Sequence, residues 1–581
     1  MAQRIAVTPK AGTLSPSHAR NYDTEVPASL EYPSVPLHAL LDQAAELYPG
    51  SAATIFFNAK KSYATLLKDA KRFSAGLRSL GVKPGDKVAI DLPNCPQFLI
   101  AFFGALRIGA VVVPCNPLYT PPELREQLAD SGAETIVVLS RGYPVVKAAR
   151  EGTKIRNVIV TNIKEEMPPL LRTLFTLAKE KKDGHRVPFA GDPGAIAFTK
   201  VLSLGGDDSA APARPDDIAV LQYTGGTTGT SKGAMLSHRA LVANTLQCAA
   251  WFGKAMRNGN DAVMGVMPLF HVYGLTTVMN FAVLSGGAII LEPQLDLEHV
   301  MKDIQRHKPK LFHGAPRIYN AINNSPLAQK YDLRSITACI SGSAPLLMET
   351  ARKFRELTGA NLVEGYGLTE ASPVTHCNPV FDTAKNRVGT IGLTFPDTET
   401  RLVDLETGDR DVAPGEAGEL LIRGPQLMDG YYNQPEETAQ TLRDGWLHTG
   451  DIATIAADGY VAIVDRKKEM IIVSGYNVYP REVEEALAKH PAVLEGAAIG
   501  VPHPIKGEEV KAFVVLKPGQ TATAEELIAF CREQLAPFKV PRAVEFRDAL
   551  PKTLIGKVLR RKLAEEDATS RRTAASPPGH P

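Results

Sequence analysis

This 581-residue sequence has little that would staple it covalently or charge it strongly. Its six cysteines (Cys95, Cys115, Cys248, Cys339, Cys377 and Cys531) stand singly, with no CxxC pair and no histidine cluster at metal-ligand spacing. That excludes a disulfide framework and a zinc finger, and the thiols are expected to lie buried in a reducing cytosol. Charge of one sign is also missing, since 65 Lys and Arg against 63 Asp and Glu leave a formal +2. No whole-protein field then attracts a polyanion, and no basic patch with interleaved aromatics marks a nucleic-acid surface. Residues 1–17, MAQRIAVTPKAGTLSPS, lack the continuous apolar stretch of a secretory signal. The most apolar segment, 98–117 (FLIAFFGALRIGAVVVPCNP), is broken by Arg107, two glycines and two prolines. A spanning helix needs about 20 nearly uninterrupted apolar residues, so this segment is expected to be a buried helix running into a buried strand. There is no internal repeat.

With 44% hydrophobic and 22% charged residues, the chain can build large cores, and its length suggests roughly three to five structural units of a soluble globular protein. Helical patterns alternate with short β-rich apolar runs. The stretch 62–81 is amphipathic and precedes KVAIDL; 121–131 precedes AETIVVLS; 297–307 precedes KLFHGAP. This predicts parallel sheets with crossover helices. After about residue 385 come short β runs (TRLVD, GELLIRG, YVAIVD) punctuated by Gly, Pro and Asp, which predict antiparallel or barrel-like structure. A further change follows Asp465. The strand MIIVSG, a helix at 480–489, strands EGAAIGV and KAFVVL, and a helix at 524–534 predict a compact α+β unit of about 100 residues. The polar, proline-bearing 570–581 reads as a frayed tail.

At 167–187, Leu171, Leu174, Phe175 and Ala178 fall at helical spacing ahead of Lys179, Lys181 and Lys182. Two readings are open: a surface helix packed on its own domain, or transient contact with an anionic bilayer.

The segment 223–233, YTGGTTGTSKG, directly follows the apolar run IAVLQ. Glycines let backbone N–H groups approach an anion, hydroxyls donate to its oxygens, and Lys232 adds a mobile charge, so the composition suits a polyphosphate. It is neither a Walker A loop nor a dinucleotide G-x-G-x-x-G.

This loop joins EGYGLTEAS at 364–372, WLHTGD at 446–451, DRKKEMIIVSGYNVYPREVE at 465–484 and LPKTLIGK at 550–557. In that order and spacing the set resembles the adenylate-forming (AMP-binding) superfamily of acyl-CoA synthetases, luciferases and peptide-synthetase adenylation domains. The resemblance covers about residues 35–565. Through PLFHVYGL at 268–275, GAPRIYNAI at 314–322 and the ending GKVLRRKL, the chain is most similar to bacterial long-chain fatty acid–CoA ligases.

The resemblance implies an α/β fold: a large N-terminal domain of doubly wound sheets plus a small β-barrel, and a smaller mobile α+β C-terminal domain. The expected division is 1–34 as an N-terminal extension, 35–465 as the AMP-binding domain, 466–565 as the mobile domain and 566–581 as a disordered tail. It also implies ATP, Mg²⁺ and coenzyme A as cofactor and co-substrates. A fatty acid would be activated to an acyl-adenylate with release of pyrophosphate, then transferred to the thiol of CoA with release of AMP. Because CoA brings its own thiol, the reaction needs no covalent nucleophile on the protein.

Carried over residue by residue, Thr224, Gly225, Gly226, Thr227, Thr228, Gly229, Thr230, Ser231 and Lys232 would hold the β- and γ-phosphates. Glu370, with Thr224, would bind Mg²⁺. Tyr366 would stack on adenine beside Gly342, Ser343 and Ala344, with Glu364, Gly365, Gly367 and Thr369 completing the nucleotide site. Asp451 would accept the ribose hydroxyls and Arg466 would contact the nucleotide. Lys468 falls at the hinge position, Gly475 would let pantetheine pass, and Lys557 would bridge carboxylate and phosphate. His271 resembles the histidine of the acyl-site wall; a histidine between apolar residues can equally be a core group. Long-chain relatives carry a tryptophan shortly after that histidine where this chain has Leu275, so chain-length preference stays open. The alternatives are a CoA ligase for a medium-chain, dicarboxylic or aryl acid, or a non-catalytic acyl or nucleotide sensor. The expected location is cytoplasmic with peripheral contact at the inner membrane face, and a homodimer is compatible with the sequence.

Overall fold

The computed structural model describes residues 4–10, 17–224, 231–256, 259–413, 415–473, 476–503, 507–553 and 557–575. The chain forms two compact units, Met1–Glu399 with Arg423–Leu447, and Thr400–Ile422 with His448–Pro581.

The first unit is built on two large sheets. One runs Ala195–Ala197, Asn157–Thr161, Thr135–Leu139, Lys87–Asp91, Val111–Pro114, Ile218–Thr224 and Lys232–Ser237, parallel until the last pair, which is antiparallel. The other has nine strands. Its centre, Asn361–Gly367, Ala338–Ser341, Leu311–Gly314, Ala262–Gly265, Ala288–Leu291 and Ala52–Phe56, is parallel, and antiparallel strands flank it on both sides. These are the expected parallel sheets. Two of the helices start where side chains satisfy orphan N–H groups: Thr120 and Glu123 form a capping box before Pro121–Ser131, and Asp296 accepts from the His299 amide at 3.0 Å before Leu297–His307. Every residue of the helix Pro96–Arg107 is buried, and it leads into the buried strand Val111–Pro114. Arg107 tolerates that burial because its guanidinium lies 2.5 Å from the Asp42 carboxylate.

Residues 17–34, within the expected N-terminal extension, are anchored to the rest of the first unit. The Tyr22 hydroxyl donates to Thr394 O at 2.7 Å, and buried Asp23 accepts from the amides of Val380, Phe381 and Asp382 at 2.6, 3.0 and 2.8 Å.

The second unit begins earlier than the expected 465/466 boundary, taking Thr400–Ile422 and the chain from His448. Hydrogen bonding gives the reason. The hairpin of Trp446–Ile455 and Val461–Arg466 pairs Asp451 with Arg466 and Ile452 with Asp465. That second strand is tied to the helix Pro480–Ala488, because Arg481 donates to Ile463 O at 2.7 Å and its amide donates to Asp465 at 2.8 Å. Beyond it, a sheet ordered Tyr476–Val478, Ile471–Val473, Gly507–Leu516 and Val493–His503 is joined by Ala543–Phe546, parallel to Gly507–Leu516. The two-residue period of Val493–His503 sorts its side chains. Ala498 packs with Val483, Leu487, Leu527 and Cys531 of the helices Pro480–Ala488 and Ala524–Gln534, whereas Ala497, Ile499 and Val501 pack with Leu563. Leu563 belongs to the helix Arg560–Ala575. The expected disordered tail at 566–581 is therefore corrected as far as Ala575, where the buried Asp567 holds Lys511 at 2.6 Å and Arg571 at 2.7 Å.

The helix in the 167–187 segment spans Pro169–Ala178. Phe175 turns inward against His185, while Leu170 and Leu177 are 74% and 81% exposed, with Leu171 and Leu174 also exposed. No helix among the described residues is long and apolar enough to cross a membrane.

Candidate functional site

The parallel strands Ala262–Gly265, Leu311–Gly314, Ala338–Ser341 and Asn361–Gly367 point the same way, so their carboxyl ends share one edge of the sheet, where ligands bind in folds of this class. His271, Gly342 to Ala344, and the run from Leu368 to Glu370 follow those ends, with Gly365 to Gly367 closing the last strand. Tyr273 ties them together, since its hydroxyl donates to Ile340 O at 3.2 Å and lies 3.4 Å from Gly314 O. A Cβ on Gly342 would sit 3.1 Å from the Tyr273 ring, and one on Gly367 only 2.2 Å from Pro373 O. Gly367 needs glycine for this close approach, and Gly342 leaves little room beside the Tyr273 ring. Tyr273 leads into the π-helical Gly274–Asn280, wholly buried, a form that recurs at functional sites. Burial holds the His271 imidazole down at about 4, so it is neutral at ordinary pH, with Nδ1 accepting from the Tyr273 amide at 3.3 Å.

Tyr366 lies in the strand Asn361–Gly367, opposite His376, and its ring meets the His376 ring edge-on at 6.0 Å. The buried Glu364 carboxylate accepts from the Leu346 amide at 3.2 Å, bracing the segment after Ala344. Thr369 and Glu370 lie on the short helix Thr369–Ala371.

The loop ends meet as antiparallel partners, Thr224 opposite Lys232, and the Ser231 hydroxyl donates to Thr224 O at 2.9 Å. Gly225, Gly226, Thr227, Thr228, Gly229 and Thr230 lie outside the described residues. Lys232 pairs with Glu437 and sits 5.4 Å over the ring of Tyr431, whose hydroxyl donates to Glu370 at 2.7 Å. Tyr431 therefore links the loop lysine to Glu370. Burial and the Glu370 carboxylate push the Tyr431 phenol up, so it remains a donor. Among the described residues no lysine or arginine forms an ion pair with Glu370, whose side-chain partner is Tyr431. Tyr431 and Glu437 escaped the sequence reading, because DGYYNQPEE lies far along the chain and carries no phosphate-binding composition.

In the second unit, buried Asp451 holds Arg466 at 3.0 Å. Lys557 lies near both. Burial first, then the Arg466 charge, push its ammonium down to about 8, opposed by Glu469 and Asp451. Its backbone is pinned, since its amide donates to the Thr553 hydroxyl at 3.1 Å and its carbonyl accepts from the Thr553 amide at 2.8 Å. Arg560, missed in the basic run GKVLRRKL, pairs with Glu469 and with Glu484 at 2.7 Å. Lys467 pairs with Glu419 at 2.9 Å, whereas Lys468 is exposed. Gly475 lies outside the described residues. Asp451, Arg466 and Lys557 are thus gathered on one unit, and Thr224, Lys232 and Glu370 on the other.

All six cysteines are free and buried, and burial pushes the thiols up, Cys531 to about 11 and Cys95 to about 12. None is poised as a nucleophile.

Residues 41–432 match the family model described as AMP-binding enzyme, and 482–557 match AMP-binding enzyme C-terminal domain. The chain is 45% identical over 549 residues to a long-chain-fatty-acid–CoA ligase of Bacillus subtilis (strain 168), covering 94% of this chain and 97% of that one. It is 40% identical over 552 residues to one from Escherichia coli O157:H7, with the same coverage. A solved anthranilate CoA ligase in complex with anthranoyl-AMP superposes with a TM-score of 0.81 at 27% identity, covering 94% of this chain and 98% of that one.

Proposed function

The chain belongs to the AMP-binding enzyme family, and from that premise we propose that it is a long-chain fatty acid–CoA ligase. The observation that carries this reading is near-full-length likeness to long-chain-fatty-acid–CoA ligases. A carboxylate is a poor acyl donor because oxide would have to leave. In the first half-reaction a carboxylate oxygen attacks the α-phosphorus of ATP, and pyrophosphate departs with the electron pair of the broken P–O bond. In the second, the CoA thiol loses its proton to solvent, its sulfur attacks the acyl carbonyl, AMP departs with the electron pair of the broken bond, and the thioester forms.

The protein's part is placement and charge stabilisation, consistent with its buried, unreactive thiols. In this reading Thr224, Ser231 and Lys232 receive the outer phosphates, and Tyr366 with the Gly342 to Ala344 segment receives adenine. Asp451, a carboxylate with several lone-pair sites, accepts the ribose hydroxyls beside Arg466. Glu370 and the Thr224 hydroxyl would hold Mg²⁺, a hard ion suited to carboxylate and hydroxyl oxygens, which supplies charge neutralisation at the phosphates. Lys557 brings positive charge to carboxylate and phosphate in adenylation, exposed Lys468, which lies within the second unit, is the hinge for the chain that follows it, and the Gly475 segment serves CoA. His271, kept neutral, lines the acyl site without a charge that an alkyl chain would have to desolvate. The exposed leucines of Pro169–Ala178, followed by exposed Lys179, Lys181 and Lys182, support reversible contact with an anionic bilayer, from which a fatty acid could be drawn.

Acid-dependent pyrophosphate release across a panel of carboxylates tests the reading. Long-chain fatty acids should give the highest kcat/KM. A preference for aryl or short dicarboxylic acids would replace the substrate, and no release with any acid would reject the ligase.

A further inference from the structure

Outside the nucleotide site, Glu292 follows the strand Ala288–Leu291, and the helix Leu297–His307 begins shortly after it. His299, Asp303 and His307 fall four apart on that helix and so share a face. The face is turned on Glu292. His299 Nδ1 lies 2.8 and 3.1 Å from the two Glu292 oxygens, and His307 Nε2 lies 3.9 Å from Asp303 Oδ1. One ligand atom each from Glu292, His299 and Asp303 lies within 4.8 Å of the others. Both carboxylates are only 4% exposed, and among the described residues their ion pairs are with the two histidines alone, with no lysine or arginine. Two carboxylates buried together are costly unless a proton or a positive charge lies between them. An imidazole nitrogen with two carboxylate oxygens is a donor set for Zn²⁺ rather than for Mg²⁺, which takes oxygen and water.

We propose that Glu292, His299 and Asp303 form a binding site for a divalent transition metal ion of the Zn²⁺ class. Water completes the coordination, and His307 stands as an outer partner. His307 Nε2 lies 2.9 Å from Asn58 Oδ1, and Asn58 sits in the turn between Ala52–Phe56 and Ala59–Ser62. The ion would therefore pin the helix Leu297–His307 to the end of the strand Ala288–Leu291, a structural task separate from adenylation.

The test uses the full-length protein, stripped with a chelator and dialysed against Zn²⁺ in excess Mg²⁺. Wild type should bind a single equivalent that His299→Ala and Glu292→Gln weaken at least about tenfold, while acid-dependent pyrophosphate release is retained. A second readout needs no variant: Zn²⁺ should protect His299 of the wild type from diethylpyrocarbonate, followed by peptide mass mapping. Absence of binding, equal affinity in wild type and variants, or equal carbethoxylation of His299 with and without Zn²⁺ would overturn the proposal.

Discussion

The ionisation of Lys557 leads to a quantitative test. Burial and the Arg466 guanidinium push its ammonium from the ordinary 10.5 down to about 8. The cation is the form that can bridge carboxylate and phosphate, so adenylation should decline as pH rises through that value. With a pKa near 8, the charged fraction is about 0.9 at pH 7, about 0.5 at pH 8 and about 0.09 at pH 9. Thus kcat/KM for acid-dependent pyrophosphate release, which reports the free enzyme, should drop roughly tenfold between pH 7 and 9. A lysine of ordinary pKa would lose only about 3% over the same interval. The stability effect has the opposite sense. Between about 8 and 10.5 the unfolded chain binds this proton and the folded chain does not, so this group's contribution to stability rises with pH across that window. Lys557→Ala should slow adenylation on the order of 100-fold and abolish the falling limb, yet leave thioester formation from supplied acyl-adenylate intact. A limb near 10, a limb that survives in Lys557→Ala, or equal losses in both half-reactions would refute the role.

Three further outcomes are expected. Glu370→Gln should raise the Mg²⁺ concentration needed for half-maximal pyrophosphate release by about tenfold or more, and an unchanged metal titration would reject that assignment. Changing Leu170, Leu174 and Leu177 together to Glu should cut co-sedimentation with anionic liposomes at little cost in stability, because these side chains are already solvent-facing; equal sedimentation would discard membrane contact. Asp23→Ala leaves the amides of Val380, Phe381 and Asp382 without their acceptor and should destabilise the first unit by about 3 kcal/mol in denaturant titrations; a loss below about 1 kcal/mol would mean that solvent or a relaxed backbone replaces those bonds.

Local physics was legible wherever a pattern is local. The helices Pro121–Ser131, Leu297–His307 and Ala524–Gln534 have the bounds read from their pattern. The buried Phe98 to Val113 stretch likewise followed from apolar content alone. Long-range partners were not legible. Lys232 and Glu437 are 205 residues apart, and Asp451 joins Arg466 only once the hairpin register is set. The unit boundary escaped for a related reason. The composition shift at 465 is real, but Arg481 binds the strand before it, and hydrogen bonds rather than composition decide which segments cohere. The helix Arg560–Ala575 was obscured by its polar surface, since its anchorage rests on few inward groups, chiefly Leu563 and Asp567.

Because all six native sulfhydryls are sealed inside the packed units, the molecule offers a silent background for maleimide chemistry. A dye pair placed on engineered surface cysteines, one in each unit, could be attached without first stripping out the natural ones. Fluorescence energy transfer would then clock, turnover by turnover, whatever reorientation the catalytic cycle demands.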